Sequence, residues 1–354
     1  MPHALRPSDA CTPNARPTPA CPVVTPPRSR LGPAARRHGW LAALAVAAAL
    51  AVAAGLAAGV AAAQDQGARA GVVAARPASA VAAGDAATLR EHYRALRTRL
   101  DDSPLGIPVL LDSSEDGDRV GGSVDAVLEQ PFERVASVLR DPREWCRIVM
   151  LQPNTRNCIH SRDGDEDVLV VDVGDEDDAA STPDLRFVFR DAHVGPDALG
   201  VSLRAPSGPY GTARYRIQVA AVRVDARTFL RLRYGYDTSF MSRLAVDAYL
   251  STFGRDKVGF STVGTGADGR PQYVKGRRGI AERNAARYFF ALQASIQARD
   301  ADPGGALDAR LDRWLELTER FPAQLKEADR DAYIERKHRD FARHARRQQA
   351  IDRR

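Results

Sequence analysis

Several clusters in this sequence have the residue types and spacing of chemical sites. Gly264-Thr265-Gly266-Ala267-Asp268-Gly269 spells the glycine pattern of a dinucleotide-binding loop. Such a loop works only when a strand of a parallel sheet runs into it and a helix opens from it, so that the helix N-terminus meets a pyrophosphate. Pro271 follows two residues later and a short strand-like segment comes next, so these glycines read as a hairpin turn. Asp163, Asp165, Glu166 and Asp167, and then Asp175, Glu176, Asp177 and Asp178, bracket one strand with the oxygen ligands that Ca²⁺ prefers. Their spacing lacks the rest of an EF-hand loop, and acidic hairpin tips are ordinary solubilising features. His92, His160, His193, His338 and His344 do not group, and neither G-x-S-x-G nor H-E-x-x-H occurs. The sequence therefore nominates no catalytic residue, no metal site and no cofactor.

The cysteines lead to the question of compartment. Cys11 and Cys21 lie in a leader in which nine of the first 33 residues are proline, a composition that neither propagates a helix nor buries a core. Arg28, Arg30, Arg36 and Arg37 then precede an uncharged run from Leu41 to Ala63 that ends in Ala61-Ala62-Ala63-Gln64. A positive segment, an apolar segment and a small-residue cleavage site are the parts of a secretory signal. The alternative is a retained anchor, because a helix of that length spans a bilayer of about 30 Å. Either way the expected location is periplasmic or secreted, and the alanine- and arginine-rich composition fits a GC-rich bacterium. In an oxidising compartment Cys146 and Cys158 are expected to pair as a disulfide, since no further Cys or His pair completes a metal site; two buried free thiols are the alternative.

Charge narrows the partners. The chain carries 51 Lys and Arg against 45 Asp and Glu, a net of +6, which invites a nucleic-acid reading. Residues 1–63 hold six arginines and a single acid, Asp9, so the remainder is nearly neutral and no nucleic-acid partner is expected. One local excess survives: from Lys326 onward ten basic residues face six acidic ones. Its two readings are a solvated helix face and a membrane-surface contact through this C-terminal basic helix.

The elements that must position any site follow from periodicity. Residues 64–87 form an Ala/Gly-rich linker, and Leu89, Tyr93, Leu96 and Leu100 then mark a helix over 88–100. Val120–Leu128 reads as a strand, Pro131–Leu139 and Asp141–Met150 as two short helices with proline in the first turn. Strands follow at 155–161, 168–173, 185–191, 199–205, 212–224 and 228–236, with alternation as clean as Leu185, Phe187, Phe189 and Ala213, Tyr215, Ile217, Val219. Short polar turns between them make an antiparallel meander. A strand at 256–263, a partner at 272–274 and a long helix over 280–299 close the domain, the helix carrying Ala281, Ala285, Tyr288, Phe289, Leu292 and Ile296 on one face. Residues 300–354 are a charged helical extension with a thin apolar stripe of Ala332, Ile334 and Phe341. The division is thus a leader over 1–63, the linker over 64–87, a domain over 88–299 and the extension.

This order is α+β, and it resembles the START-like superfamily, also called SRPBCC or helix-grip. The segments Leu128-Glu129-Gln130-Pro131-Phe132-Glu133-Arg134-Val135 and Leu139-Arg140-Asp141-Pro142-Arg143-Glu144-Trp145 look like the opening of such domains. Trp145-Cys146 with Asn154 and Cys158 is similar to a group of exported proteobacterial START-like proteins. The resemblance covers about Val120 to Arg299 and implies a curved antiparallel sheet gripping the C-terminal helix around a cavity for lipids, sterols or other apolar ligands. Expected to line that cavity are Tyr215, Ile217, Tyr234 and Tyr236 from the strands, and Phe289, Leu292 and Ile296 from the helix. Trp145, Phe240, Met241 and Tyr249 are expected at its entrance. The implied function is binding of a lipid or other apolar small molecule for transfer or sensing in the cell envelope. A cyclase or aromatase on the same fold, and an envelope interaction protein without a ligand, are the alternatives.

Overall fold

The computed structural model describes residues 86–174, 185–193, 195–208, 211–239, 243–244, 247–248, 256–302 and 304–353. The leader, the candidate anchor, the second acidic cluster at 175–178 and the expected entrance residues Phe240, Met241 and Tyr249 lie outside them. Helix α1 (Ala86–Asp101) leads into β1 (Val109–Asp116) and β2 (Arg119–Leu128). Short helices α2 (Phe132–Leu139) and α3 (Pro142–Val149) follow, then β3 (Thr155–Asp163), β4 (Glu166–Val173), β5 (Leu185–His193), β6 (Ala198–Ser207), β7 (Thr212–Val224) and β8 (Arg227–Thr238). A small hairpin, β9 (Thr262–Thr265) and β10 (Pro271–Tyr273), precedes α4 (Gly276–Gln297), and α5 (Ala306–Thr318), α6 (Pro322–Leu325) and α7 (Arg330–Asp352) end the chain.

The first eight strands form one antiparallel sheet in the order β1-β2-β8-β7-β6-β5-β4-β3. Its inner face holds α4, and this is the helix-grip α+β architecture. The grip is tightest at Gly122 of β2, where a Cβ would stand 2.5 Å from the Ala281 carbonyl oxygen and 3.1 Å from the Ala285 Cβ. Only glycine lets sheet and helix approach so closely. On the outer face α1 sets Leu89, Tyr93, Leu96 and Leu100 against Val127, Val222 and Phe229, a second and smaller apolar cluster.

Local chemistry explains the short helices. Asp141 caps α3 by accepting from the Arg143 amide at 2.8 Å, and Pro142 fills the first turn, where an amide proton would go unused. In α2, Pro131 is extended at the N-cap and Glu133 in the first turn pairs with Arg223 of β7. The expected disulfide is present: Cys146 of α3 is bonded to Cys158 of β3.

Three expectations need correction. Strand β1 went unread because its inward residues are interrupted by Ser113 and acids, and only pairing with β2 makes it a strand. The strand expected at 256–263 begins only at Thr262, since Phe260 is instead a buried core residue outside a ladder. In α7 the buried stripe is Tyr333, Lys337, Asp340, Phe341 and Gln348, whereas Ala332 is exposed. That polar stripe has a use. Helix α7 lies along β3, the edge of the sheet, where Gln348 accepts from the His160 amide and donates to its carbonyl, both at 2.9 Å, much as a neighbouring strand does. Lys337 donates to the Gln152 and Thr155 carbonyls at 2.7 and 2.6 Å, and Tyr333 to the Leu151 carbonyl at 2.7 Å. Part of the extension thus covers an edge that would otherwise offer unpaired backbone groups.

Candidate functional site

Between the inner face of the sheet and α4 lies a cavity of about 480 Å³. Its wall begins with the bulge in β7, where Arg214 and Tyr215 together stand opposite Tyr236 of β8. Arg214 takes a left-handed backbone, φ +49°, rare for a residue with a side chain. What holds it there is Asp237, a buried carboxylate that accepts from Arg214 Nε at 2.6 Å and from Arg216 at 3.2 Å. A bulge of this kind re-aims the next side chain. The Tyr215 ring stacks on Tyr236 at 5.3 Å between centroids with 17° between planes, and Tyr234 stands edge-on to both.

Helix α4 supplies the facing wall through Ile280, Arg283, Asn284, Arg287 and Tyr288, a helical stripe at the i, i+3, i+4, i+7 and i+8 positions. Tyr288 stacks on Tyr234 at 5.5 Å, so one aromatic surface runs from sheet to helix. Asn284 donates to the Tyr234 hydroxyl at 3.4 Å and Thr212 to the Tyr215 hydroxyl at 2.9 Å. Val149 of α3, Val171 and Val173 of β4, and Leu185 and Phe187 of β5 complete the apolar part. Burial pushes the Tyr234, Tyr236 and Tyr288 hydroxyls up, so they stay protonated near neutral pH and act as hydrogen-bond partners without charge.

One end of the cavity is ionic. Glu327, between α6 and α7, accepts from Arg287 and, at 2.8 Å, from Arg283, with Lys257 Nζ 3.4 Å away. Burial opposes ionisation of this carboxyl, but Arg287, Lys257 and Arg283 outweigh it and hold it down to about 2. Arg283 and Arg287 are 4% and 8% exposed. Gln152 and Asn154, from the turn before β3, line the same cavity.

Of the residues expected from the sequence, Tyr215, Tyr234 and Tyr236 line the cavity. Ile217, Phe289, Leu292 and Ile296 are instead packed in the continuous core, each at most 1% exposed. Trp145 is fully buried and donates its indole proton to the Leu139 carbonyl at 2.7 Å, which fixes α3 on α2. Sequence reasoning missed the ionic end. Arg283, Asn284 and Arg287 carried a signal, since polar residues recurring on a stripe of a helix meant for the core imply something other than close packing beside it. Glu327 carried none, because it reaches the cavity from an extension distant in sequence. Among the described residues no cluster of three or more His, Cys, Asp or Glu could hold a metal ion, and no helix is long and apolar enough to cross a membrane.

No family model and no curated protein matches this chain in sequence. Solved structures resemble it in fold. The Zhui aromatase/cyclase from a Streptomyces species is 16% identical with a TM-score of 0.31, covering 53% of this chain and 98% of its own. Human StAR-related lipid transfer protein 5 is 11% identical with a TM-score of 0.30, covering 60% and 96%. Norcoclaurine synthase from Thalictrum flavum is 11% identical with a TM-score of 0.26, covering 40% and 91%.

Proposed function

We propose that this protein is an exported START-like domain that binds a hydrophobic ligand of the lipid class between its sheet and α4, for lipid transfer or sensing in the cell envelope. The cavity carries the reading. Its volume of about 480 Å³ falls within the usual range for small-molecule sites. Valine, leucine, phenylalanine and four tyrosines supply an apolar lining with a few fixed hydroxyls. Binding would be driven by desolvation, worth about 25 cal/mol per Å² of apolar surface buried. The Cys146–Cys158 disulfide fits an oxidising compartment such as the periplasm. A membrane-surface contact through α7 belongs to the same proposal, with Arg346 and Arg353 on its exposed side. Arg339, Arg343 and Arg347 are engaged with Glu335, Asp340 and Asp172.

The ionic end favours a second reading, a cyclase-type enzyme in which a tyrosine acts as acid and an arginine stabilises an enolate. A general acid or base works best with a pKa near the working pH, whereas Glu327 is displaced well below neutrality and the tyrosines well above it. Binding without chemistry is therefore preferred. Native mass spectrometry of protein expressed into a bacterial periplasm tests it. An adduct of lipid mass that organic solvent extracts intact is the expected result. A protein that carries nothing and takes up no added lipid would remove the proposal, and recovery of a chemically altered polyketide-like molecule would favour the enzyme.

A further inference from the structure

The cavity is unevenly provided with hydrogen-bond donors. Arg287 meets Glu327 through one terminal nitrogen, while its Nε is buried and has no hydrogen-bond partner among the described residues. Gln152, 5% exposed, also keeps its amide nitrogen buried and without a partner. Both residues line the same cavity and both unmet groups are donors. Arg231, Arg310 and Arg336 also bury an unmet Nε, but none of them lines this cavity; such donors cost free energy, so a site that gathers two is matched to something that brings acceptors. Tyr234, Tyr236 and Tyr288, held protonated by burial, add no negative charge to the wall.

Among the described residues, the one carboxylate at this end comes from an unusual part of the chain. Glu327 stands in the short link between α6 and α7, and its side chain is about a quarter exposed. Its backbone belongs to neither the sheet nor α4, so the side chain can exchange its place on the two arginines without either element being rebuilt. A carboxylate oxygen already seated on one terminal nitrogen of Arg287 also shows what chemistry the guanidinium accepts there, an oxyanion.

We propose that the occupant of the cavity is an amphiphile with one anionic head, a carboxylate or a phosphate, that Arg287 and Gln152 receive this head, and that Glu327 is the exchangeable counter-ion holding the place when the cavity is empty. This rests on the lipid-binding reading above and sharpens it to a ligand class. A neutral head can accept from these donors but forgoes the charge-assisted bond to the guanidinium, and a cationic one meets the arginines.

Displacement of the neutral apolar dye N-phenyl-1-naphthylamine from the full chain separates the two ideas. The competitors share one tail and differ only in head: dodecanoate, dodecyl phosphate, dodecanol and dodecyltrimethylammonium. The two anions are expected to compete about tenfold better than the alcohol, as a charge-assisted hydrogen bond in a buried site allows, and the cation worst. The better of the two anions identifies the head. In Arg287→Met the anions should fall to the level of the alcohol while the alcohol is unchanged, and in Glu327→Gln the anions should tighten. An alcohol that competes as well as the anions on the wild-type chain overturns the inference and leaves lipid binding standing. Equal weakening of all four by Arg287→Met also overturns it, since that marks a purely structural arginine. A chain that binds neither dye nor competitor removes the lipid-binding reading itself. The wild-type ranking needs no variant, so it decides the matter even if Arg287→Met does not fold.

Discussion

The two halves of α4 present the same helical stripe to opposite circumstances. Ile280, Arg283, Asn284, Arg287 and Tyr288 face the cavity, whereas the next residues along that stripe, Ala291, Leu292 and Ser295, are fully buried in side chains. Around the closed half Phe289 and Phe290 stand 5.3 Å apart, and Phe290 stacks on Phe321 at 5.6 Å with 15° between planes. Leu311, Trp314 and Leu315 of α5 belong to the same core. One helix thus divides its work: the C-terminal half is closely packed all round, and the N-terminal half grips Gly122 through Ala281 and Ala285 but turns its other stripe to a space that a ligand can fill. A grip fold can hold a cavity only because it is packed tightly elsewhere.

The largest effect that could break this division is expected at Phe290. Its replacement by Ala deletes a fully buried ring in the closed half and should cost about 3–5 kcal/mol in urea denaturation, the range for such truncations. Tyr288→Phe, two residues away on the open side, removes one hydroxyl from a cavity-lining ring and should change stability by less than about 0.5 kcal/mol. Similar losses at the two positions would mean that the cavity wall carries as much of the fold as the core does.

Next in size is the disulfide, which joins two elements that border the open region. Cys146 sits on α3 beside Val149, and Cys158 on β3 beyond Thr155; both Val149 and Thr155 line the cavity. A loop this short contributes about 3 kcal/mol in the chain-entropy model. Cys146→Ser with Cys158→Ser should therefore lower the urea midpoint, and the loss should add to that of Phe290→Ala if the two regions are independent. A double-variant cost well short of the sum would join the two halves into one unit.

The sequence showed the closed half better than the open one, for a physical reason. Periodicity reports which residues leave water, so Phe289, Leu292 and Ile296 were legible as buried and β3 to β8 as alternating strands. It does not report whether the space opposite a buried residue holds another side chain or none, and these three were assigned to a cavity that ends one turn earlier. Tyr215 was found by its place among alternating residues, though the bulge that aims it depends on Asp237, whose role only the paired strands reveal. Long-range ionic contacts were least legible: nothing near Glu327 in the chain indicates Arg283 or Arg287, and α7 showed only a thin apolar stripe because its inward face includes Lys337, Asp340 and Gln348.

A smaller effect than either large loss is set by Glu327 and concerns the open half alone. Its carboxyl is held at about 2, below its ordinary 4.5. A carboxyl depressed by folding contributes stability that is fully present above about pH 4.5 and is lost as pH falls towards 2, because the unfolded chain takes up the proton first. The full shift corresponds to about 3 kcal/mol, and partial exposure of the side chain to solvent screening reduces this to about 1–2 kcal/mol. Glu327→Gln should thus be less stable than wild type by about that amount at neutral pH. The gap should close between pH 5 and pH 2. Asp352 is held near 2 by Arg143 and titrates in the same window, so the difference between the two pH profiles is the informative quantity, not the wild-type slope. A gap that stays constant down to pH 2 would show that Glu327 acts through packing, and that the ionic end of the cavity is as rigidly built as the closed half.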